Sequence, residues 1–409
     1  MEIQTARLSN GLRIIHQEDK NSAVYHVGLF VNAGSRHENE SERGIAHFLE
    51  HALFKGTKKR KAFHILNRLD VVGGELNAYT TKEETVLYAS VLNTHMERAM
   101  EIIADITFNS TFPAHELEKE KEVVIDEILS YQDAPSELIF EEFDNLLFEG
   151  HSLGNDILGT EDDVRKITRE KIQDFVKRHY VPSNMVVSSV GNFSLEQVVK
   201  KVRKHFELFE GEMVKETAVI ATSSRFEKAV QKETHQAHVI IGNHACAYAH
   251  PDKTALVLLN NYLGGPAMNS RLNMEIREKY GFAYNIDSSY HPYSDAGILS
   301  IYFGTDVKNI DKTRSLIYKE LKRLCNQPLG TLKLHQAKEQ LKGFIALGME
   351  SRSGLMLGLG KAYLMSEKVD TVQESFDNID SITASKIMEL ANKYLNYQEL
   401  SELSYLSKA

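Results

Sequence analysis

The chain has 409 residues, 42% of them hydrophobic and 26% charged, with a net charge of -9. That length exceeds what one hydrophobic core supports, so two to three domains of ~100–200 residues are expected. The negative balance argues against nucleic acid or an anionic membrane as partner, and Cys246 and Cys325, without metal-type spacing, argue against a disulfide framework and make a reducing compartment the default. The first fifteen residues lack a basic region followed by a long apolar run, and no apolar run approaches the ~20 residues of a membrane helix. A cytoplasmic protein is therefore expected.

Residues 7–33 read as a hairpin of strands, with an Asn10-Gly11 turn and a β-rich run from Val24 to Val31. The stretch Arg43 to Thr57 then reads as a helix closed by Gly56 as C-cap. At 3.6 residues per turn, Ile45, Phe48, Leu49 and Ala52 form an apolar stripe, while His47, Glu50, His51 and Phe54 share another face. Two imidazoles one turn apart can reach a single divalent zinc, and the carboxylate beside them is placed to take a proton from water. The order His-x-x-Glu-His is the inverted zincin pattern. A catalytic zinc site has three protein ligands, so a third must lie downstream.

A second helix over about 61–71 stops at Gly73-Gly74, and strands follow over 75–81 and 84–92. Asn93 is expected to cap a helix from Met96 to Ile106, with Met96, Ala99, Ile103 and Ile106 inward. From Pro113 to Gln132 runs a charged helix whose stripe is Leu117, Val124 and Ile128. Glu120 and Glu127, at i and i+7, fall with that stripe rather than with the solvated Glu116, Glu118, Lys119 and Glu122. An inward carboxylate needs a partner, because an unpaired buried charge is costly, and a metal ion would be one.

A helix near 136–148, a loop at 151–160, a helix capped by Thr168, a strand from Met185 and a helix over about 195–207 complete the first half. Periodicity lapses over 209–220, which sets a zinc-bearing half at 1–210, a linker at 211–220 and a second half at 221–409. The second half repeats the programme: strand from His238, helix Lys253 to Tyr262, Gly264-Gly265, helix 271–279, strands 283–290 and 297–304, then helices. It has no His-x-x-Glu-His. The fold class expected is α+β, two homologous halves each with an antiparallel-rich sheet packed by helices.

Taken together, Gly34-Ser-Arg, Gly44-Ile-Ala-His-Phe-Leu-Glu-His, Phe54-Lys-Gly-Thr, Asn77-Ala-Tyr-Thr, Ile157-Leu-Gly-Thr and Gly191-Asn-Phe resemble the pitrilysin or insulinase family of inverted zinc endopeptidases. Within it the chain most resembles the processing-peptidase branch. The resemblance implies that each chain forms half of a clamshell and binds one zinc. The third ligand would be a Glu 76 positions after the second His, which here is Glu127, the inward carboxylate already singled out. Glu50 would be the general base, His47 and His51 ligands, and Glu120 a carboxylate hydrogen-bonded to a ligating imidazole. The family's Arg and Tyr, seven positions apart in the half without zinc, match Arg277 and Tyr284, suited to hold substrate and stabilise an oxyanion. Asn77, Ala78, Tyr79 and Thr80 match an edge strand along which an extended peptide pairs.

What this implies is an endopeptidase acting on peptides inside a chamber closed by two subunits, a homodimer or a heterodimer with a zinc-lacking paralogue. The alternative is a noncatalytic structural or peptide-binding core subunit of the same family; the complete His47, Glu50, His51 and Glu127 set separates the two. Gly264-Gly265-Pro266 is shorter than the long glycine-rich loop in the noncatalytic subunit of the mitochondrial processing peptidase, a member of that branch.

Overall fold

A computed structural model describes residues 2–211 and 225–407; apart from Gly211, the expected linker lies outside the described residues. In chain order the elements are β1 (Ile3–Arg7), β2 (Arg13–Glu18), β3 (Val24–Val31), α1 (Ile45–Leu53), α2 (Ala62–Asp70), β4 (Glu75–Thr80), β5 (Thr85–Leu92), α3 (Met96–Phe108), α4 (Ala114–Gln132), α5 (Pro135–Leu147), α6 (Glu161–Arg165), α7 (Arg169–His179), β6 (Met185–Gly191) and α8 (Leu195–Phe206). The second half continues with β7 (Glu227–Lys232), β8 (Ala237–His244), α9 (Lys253–Gly264), β9 (Ala283–Pro292), β10 (Gly297–Thr305), α10 (Ile310–Asn326), α11 (Thr331–Met349), α12 (Arg352–Ser366), α13 (Val372–Ser381), α14 (Ala384–Tyr394) and β11 (Ser401–Ser407).

The first compact unit gathers Met1–Leu129, Asn155–Thr217 and Gly348–Val369. Its six strands run in the order β1-β2-β6-β3-β5-β4. Asn10-Gly11 does turn the chain between β1 and β2, with Gly11 at φ +88. The expected pairing of that hairpin with the 24–31 strand does not form. β6 is inserted between β2 and β3, parallel to one and antiparallel to the other. All seven residues of β6 are buried, and a strand apolar on both faces takes the centre of a sheet rather than its edge.

Two further local expectations differ. α1 ends at Leu53 with Phe54 as C-cap, and Gly56, at φ +148, instead leads the chain into a bridge with Lys61. Asn93 does not cap α3: its side-chain amide donates to the Ser22 carbonyl at 2.6 Å, and a 3-10 turn over Asn93–His95 leads into the helix.

One face of the sheet carries α1, α2, α3 and α8 on a core that includes Leu29, Phe48, Leu49, Leu87, Ile103 and Val124. The other face, lined by Ile15, Phe30, Val86 and Val186, is covered by Met356, Leu359 and Leu364 of α12. That helix comes from the second half of the sequence. Gly360 lets it lie close, since a Cβ there would stand 2.1 Å from the Phe30 ring.

The second unit gathers Ser130–Gly154, Ala218–Leu347 and Asp370–Ala409 around a five-stranded sheet, β7-β11-β8-β10-β9. β11 runs parallel to β7 and antiparallel to β8, as β6 does to β2 and β3, so the internal duplication is visible in the topology. Here the reciprocal loan occurs: Ile139, Phe143 and Leu147 of α5, from the first half of the sequence, pack on Ile240, Ile298, Tyr302 and Leu403. The two compact units therefore differ from the contiguous halves 1–210 and 221–409 by an exchange of α5 and α12. Each sheet has a second apolar face that its own half leaves bare, and burying a large apolar side chain stabilises by about 1.5–3 kcal/mol.

Candidate metal centre

α1 is a nine-residue helix whose Ile45, Phe48, Leu49 and Ala52 are fully buried, which fixes its rotation about its own axis. It starts at Gly44, in the left-handed region at φ +79, where a Cβ would come within 2.5 Å of the Leu158 carbonyl. Gly159, at φ +70, lies backbone to backbone against Gly44. The Ile157-Leu-Gly-Thr segment is thus the floor under the first turn of this helix.

With the stripe inward, His47 and His51 present their rings on an adjoining face, 4.8 Å apart between centroids. α4 brings Glu127 to them: its Oε2 lies 3.7 Å from His47 Nε2 and 3.6 Å from His51 Nε2. Among the described residues, these three form the one cluster of metal-binding side chains, with ligand atoms all within 4.8 Å of one another. Such separations are too long for hydrogen bonds. They are close to the roughly 3.3 Å between ligand atoms around a tetrahedral zinc with bonds of ~2.0–2.1 Å. The donor set, two imidazole nitrogens and one carboxylate oxygen, also suits zinc, so the residues present fit the metal that the motif implies.

The two imidazoles differ in their electrostatics. Burial, then the neighbouring His51, lowers the pKa of His47 to about 4, so its ring is neutral with a lone pair to offer. His51 Nδ1 donates to Glu120 Oε1 at 2.8 Å, which fixes the tautomer, so that in the neutral ring the Nε2 lone pair faces Glu127. Burial opposes a charged His51, yet that hydrogen bond and the surrounding carboxylates raise its pKa. Glu120 is 5% exposed and its second oxygen is held by Lys55 Nζ at 2.6 Å. Burial disfavours its carboxylate, but the hydrogen bonds from His51 and Lys55 prevail and lower its pKa.

Glu50 stands beside this set and is not part of it. Burial raises its pKa, against the Thr80 hydroxyl that donates to it and the nearby His51. Thr80 ends β4, the outermost strand of the first sheet, which pairs with β5 on one side only. Ala78 packs towards the α1 face and Tyr79 towards the α12 face, as strand alternation requires. The structure thus brings Glu50, Thr80 and the open edge of the 77–80 segment together.

Arg277 and Tyr284 belong to the second unit. Arg277 lies on a helical stretch over 271–280 whose centre, Asn273–Glu278, winds as a π-helix rather than the ordinary helix expected. Such wide turns are uncommon and concentrate at functional sites. Its guanidinium leans on Asn273 Oδ1 at 3.4 Å. Tyr284, 57% exposed, is the second residue of the edge strand β9 and donates to Asp306 at 3.3 Å.

Sequence reasoning did not single out Lys55, Glu38 or the contact of Thr80 with Glu50. Lys55 stands one helical turn after His51, a spacing that could have suggested it. Glu38 carried no periodic signal.

The chain resembles known proteins along most of its length. Residues 13–161 match the family model described as "Insulinase (Peptidase family M16)" and residues 166–341 match "Peptidase M16 inactive domain". The chain is 35% identical over 385 residues to the uncharacterized zinc protease YmxG of Bacillus subtilis, covering 94% of this chain and 93% of that one. It is 34% identical to an uncharacterized zinc protease of Rickettsia bellii, covering 95% and 94%. Its fold matches the crystal structure of a protease from Helicobacter pylori with a TM-score of 0.91 at 24% identity, over 99% of both chains. On sequence and fold alike, the chain belongs to the insulinase family of peptidases.

Proposed function

We propose that the protein is a zinc-dependent endopeptidase that cleaves extended peptides. The convergence of His47, His51 and Glu127 with Glu50 beside them carries this reading. His47, His51 and Glu127 would hold the metal. When bound, zinc would supply a Lewis acid that acidifies water and polarises a peptide carbonyl. Glu50 takes a proton and returns it to the leaving amine; its raised pKa brings it nearer the working pH, where such a group transfers protons best. Glu120 holds His51 in one tautomer, itself fixed by Lys55. The open side of β4 offers main-chain N–H and C=O groups to a substrate strand, a mode that selects backbone conformation more than side chains.

The reading extends to assembly: two subunits enclose the substrate, and Arg277 and Tyr284 of one serve the metal set of the other. The names of the relatives, zinc proteases, support the coarser part of this reading. The test is cleavage of a mixed peptide library by wild type, by chelator-treated protein and by Glu50→Gln. Cleavage confined to untreated wild type is expected. Peptide binding without cleavage in a zinc-loaded sample would favour the noncatalytic core subunit instead.

A further inference from the structure

Glu38 is 7% exposed, and no ion pair joins it to another of the described residues. Its two carboxylate oxygens accept backbone N–H groups from the start of α1, Gly44 at 2.9 Å and Ala46 at 2.8 Å. Gly44, the residue at the cap position, has no side chain with which to accept those donors itself. A carboxylate six residues upstream therefore does what a Ser, Thr or Asp at the cap does elsewhere, as Ser194 and Thr168 do for α8 and α7. Burial raises the Glu38 pKa well above the usual carboxylate range while the Ala46 and Gly44 amides lower it, so the restraint rests on the two hydrogen bonds to the start of the helix and not on net charge.

The restraint has a particular address. His47 follows Ala46 directly, and a nine-residue helix has little stability of its own. The segment that carries Glu38 is also tied at its other end: Ser35 and Arg36 N–H groups donate to the Thr81 and Lys82 carbonyls at 3.3 and 2.9 Å, and Arg36 pairs with Glu83. Thr81 to Glu84 is the turn that follows Thr80, the residue touching Glu50. Gly34 permits this approach, since a Cβ there would lie 2.2 Å from the Thr81 carbonyl. The 34–38 segment thus spans from the end of the edge strand to the first turn of the motif helix.

We propose that Glu38 is a positioning residue of the metal centre, setting the register of α1 against β4 and thereby where His47 and Glu50 point. This inference rests on the metal-centre reading above. It predicts a defect in ligand geometry and not merely in stability.

Zinc affinity is to be measured by chelator competition, and the visible absorption of the cobalt-substituted protein recorded, for wild type, Glu38→Gln and Ser194→Ala. The last removes an ordinary cap from a helix elsewhere in the unit. Glu38→Gln keeps the shape but can accept only one of the two N–H groups, and should bind zinc about 10–100-fold more weakly with an altered cobalt spectrum, as loss of an outer support for a ligand does elsewhere. Ser194→Ala should lose thermal stability and keep both metal properties. Should Glu38→Gln fail to fold, Glu38→Asp, whose side chain is one methylene too short to reach both donors, carries the comparison with the same expected direction. Wild-type affinity and spectrum in the folded variant would overturn the assignment while leaving the metal centre standing. A wild type that binds no zinc would overturn both.

Discussion

Gly358 and Gly360 lie two residues apart in α12, and the structure gives opposite signs for replacing them by Ala. A glycine inside a helix costs roughly 0.5–1 kcal/mol relative to Ala, so each substitution begins with that gain. At Gly358 a Cβ meets nothing within 4 Å, and the gain stands alone. At Gly360 the Cβ would lie 2.1, 2.4 and 2.6 Å from three atoms of the Phe30 ring, which is 0% exposed and has nowhere to turn. Carbon atoms in contact sit about 3.5–4.0 Å apart, so the helix must rise by more than an ångström, loosening Met356 and Leu359 as well. Overpacking costs about 1–3 kcal/mol, and an overlap of this size belongs at the upper end. Subtracting the propensity gain leaves a net loss of about 2 kcal/mol. For a domain of this size that lowers Tm by about 4–8 °C, while Gly358→Ala should raise it by about 1–4 °C. Thermal melts followed by circular dichroism, at one protein concentration and in one buffer, compare the two. A Gly360→Ala protein as stable as Gly358→Ala would refute the close docking of α12 on the first sheet.

Glu127→Ala should bind zinc far more weakly than wild type in elemental analysis after dialysis, and unchanged retention would remove Glu127 from the ligand set. Glu50→Gln should keep the metal and lose peptidase turnover by about 10²–10⁴-fold, because the amide cannot accept a proton; undiminished turnover in a metal-replete sample would reassign the base. Glu50→Gln and Tyr284→Phe, each poorly active alone, should regain up to about a quarter of wild-type activity when subunits exchange, since half the random dimers are mixed and each restores one of two sites. Exchange without recovery would end the shared-site proposal. Burial, then nearby positive charge, lowers His37 to about 3 and His179 to about 4. Folding keeps them neutral where the unfolded chain takes up protons, so their contribution is complete above about pH 6.5 and declines as pH falls towards 3–4. His37→Asn, which still accepts the Gly34 N–H, should flatten the fall in urea midpoint between pH 7 and pH 5; an unchanged slope would contradict the assignment.

The parts of this protein legible in its sequence are those governed by short-range periodicity. The inward stripe of α1, the pairing of His47 with His51, and the anomalous placement of Glu120 and Glu127 on α4 all follow from 3.6 residues per turn. Glu120 is buried, whereas Glu127 is half-exposed, as a group facing a site rather than a core would be. What periodicity could not reach is long-range partnership. Nothing local says that β6 comes between β2 and β3, or that Glu38 will find the amides of Gly44 and Ala46. Nor does the apolar pattern of α12 say which sheet it covers: the pattern demands a partner without naming one. The π-helical winding around Arg277 likewise breaks a period that looks ordinary on paper.

The exchange of α5 and α12 bears on how the chain comes into being. A polypeptide made from its amino terminus presents Ile15, Phe30, Val86 and Val186 long before Met356 and Leu359 exist to cover them. At about 5–20 residues per second, the interval between residue 211 and residue 366 amounts to roughly 8–30 s during which one face of a nearly complete six-stranded sheet has no lid. Exposed apolar sheet faces invite aggregation, so a holding chaperone has a defined interval and a defined surface on which to act. The second sheet meets no such wait, because α5 is synthesised before any of its strands.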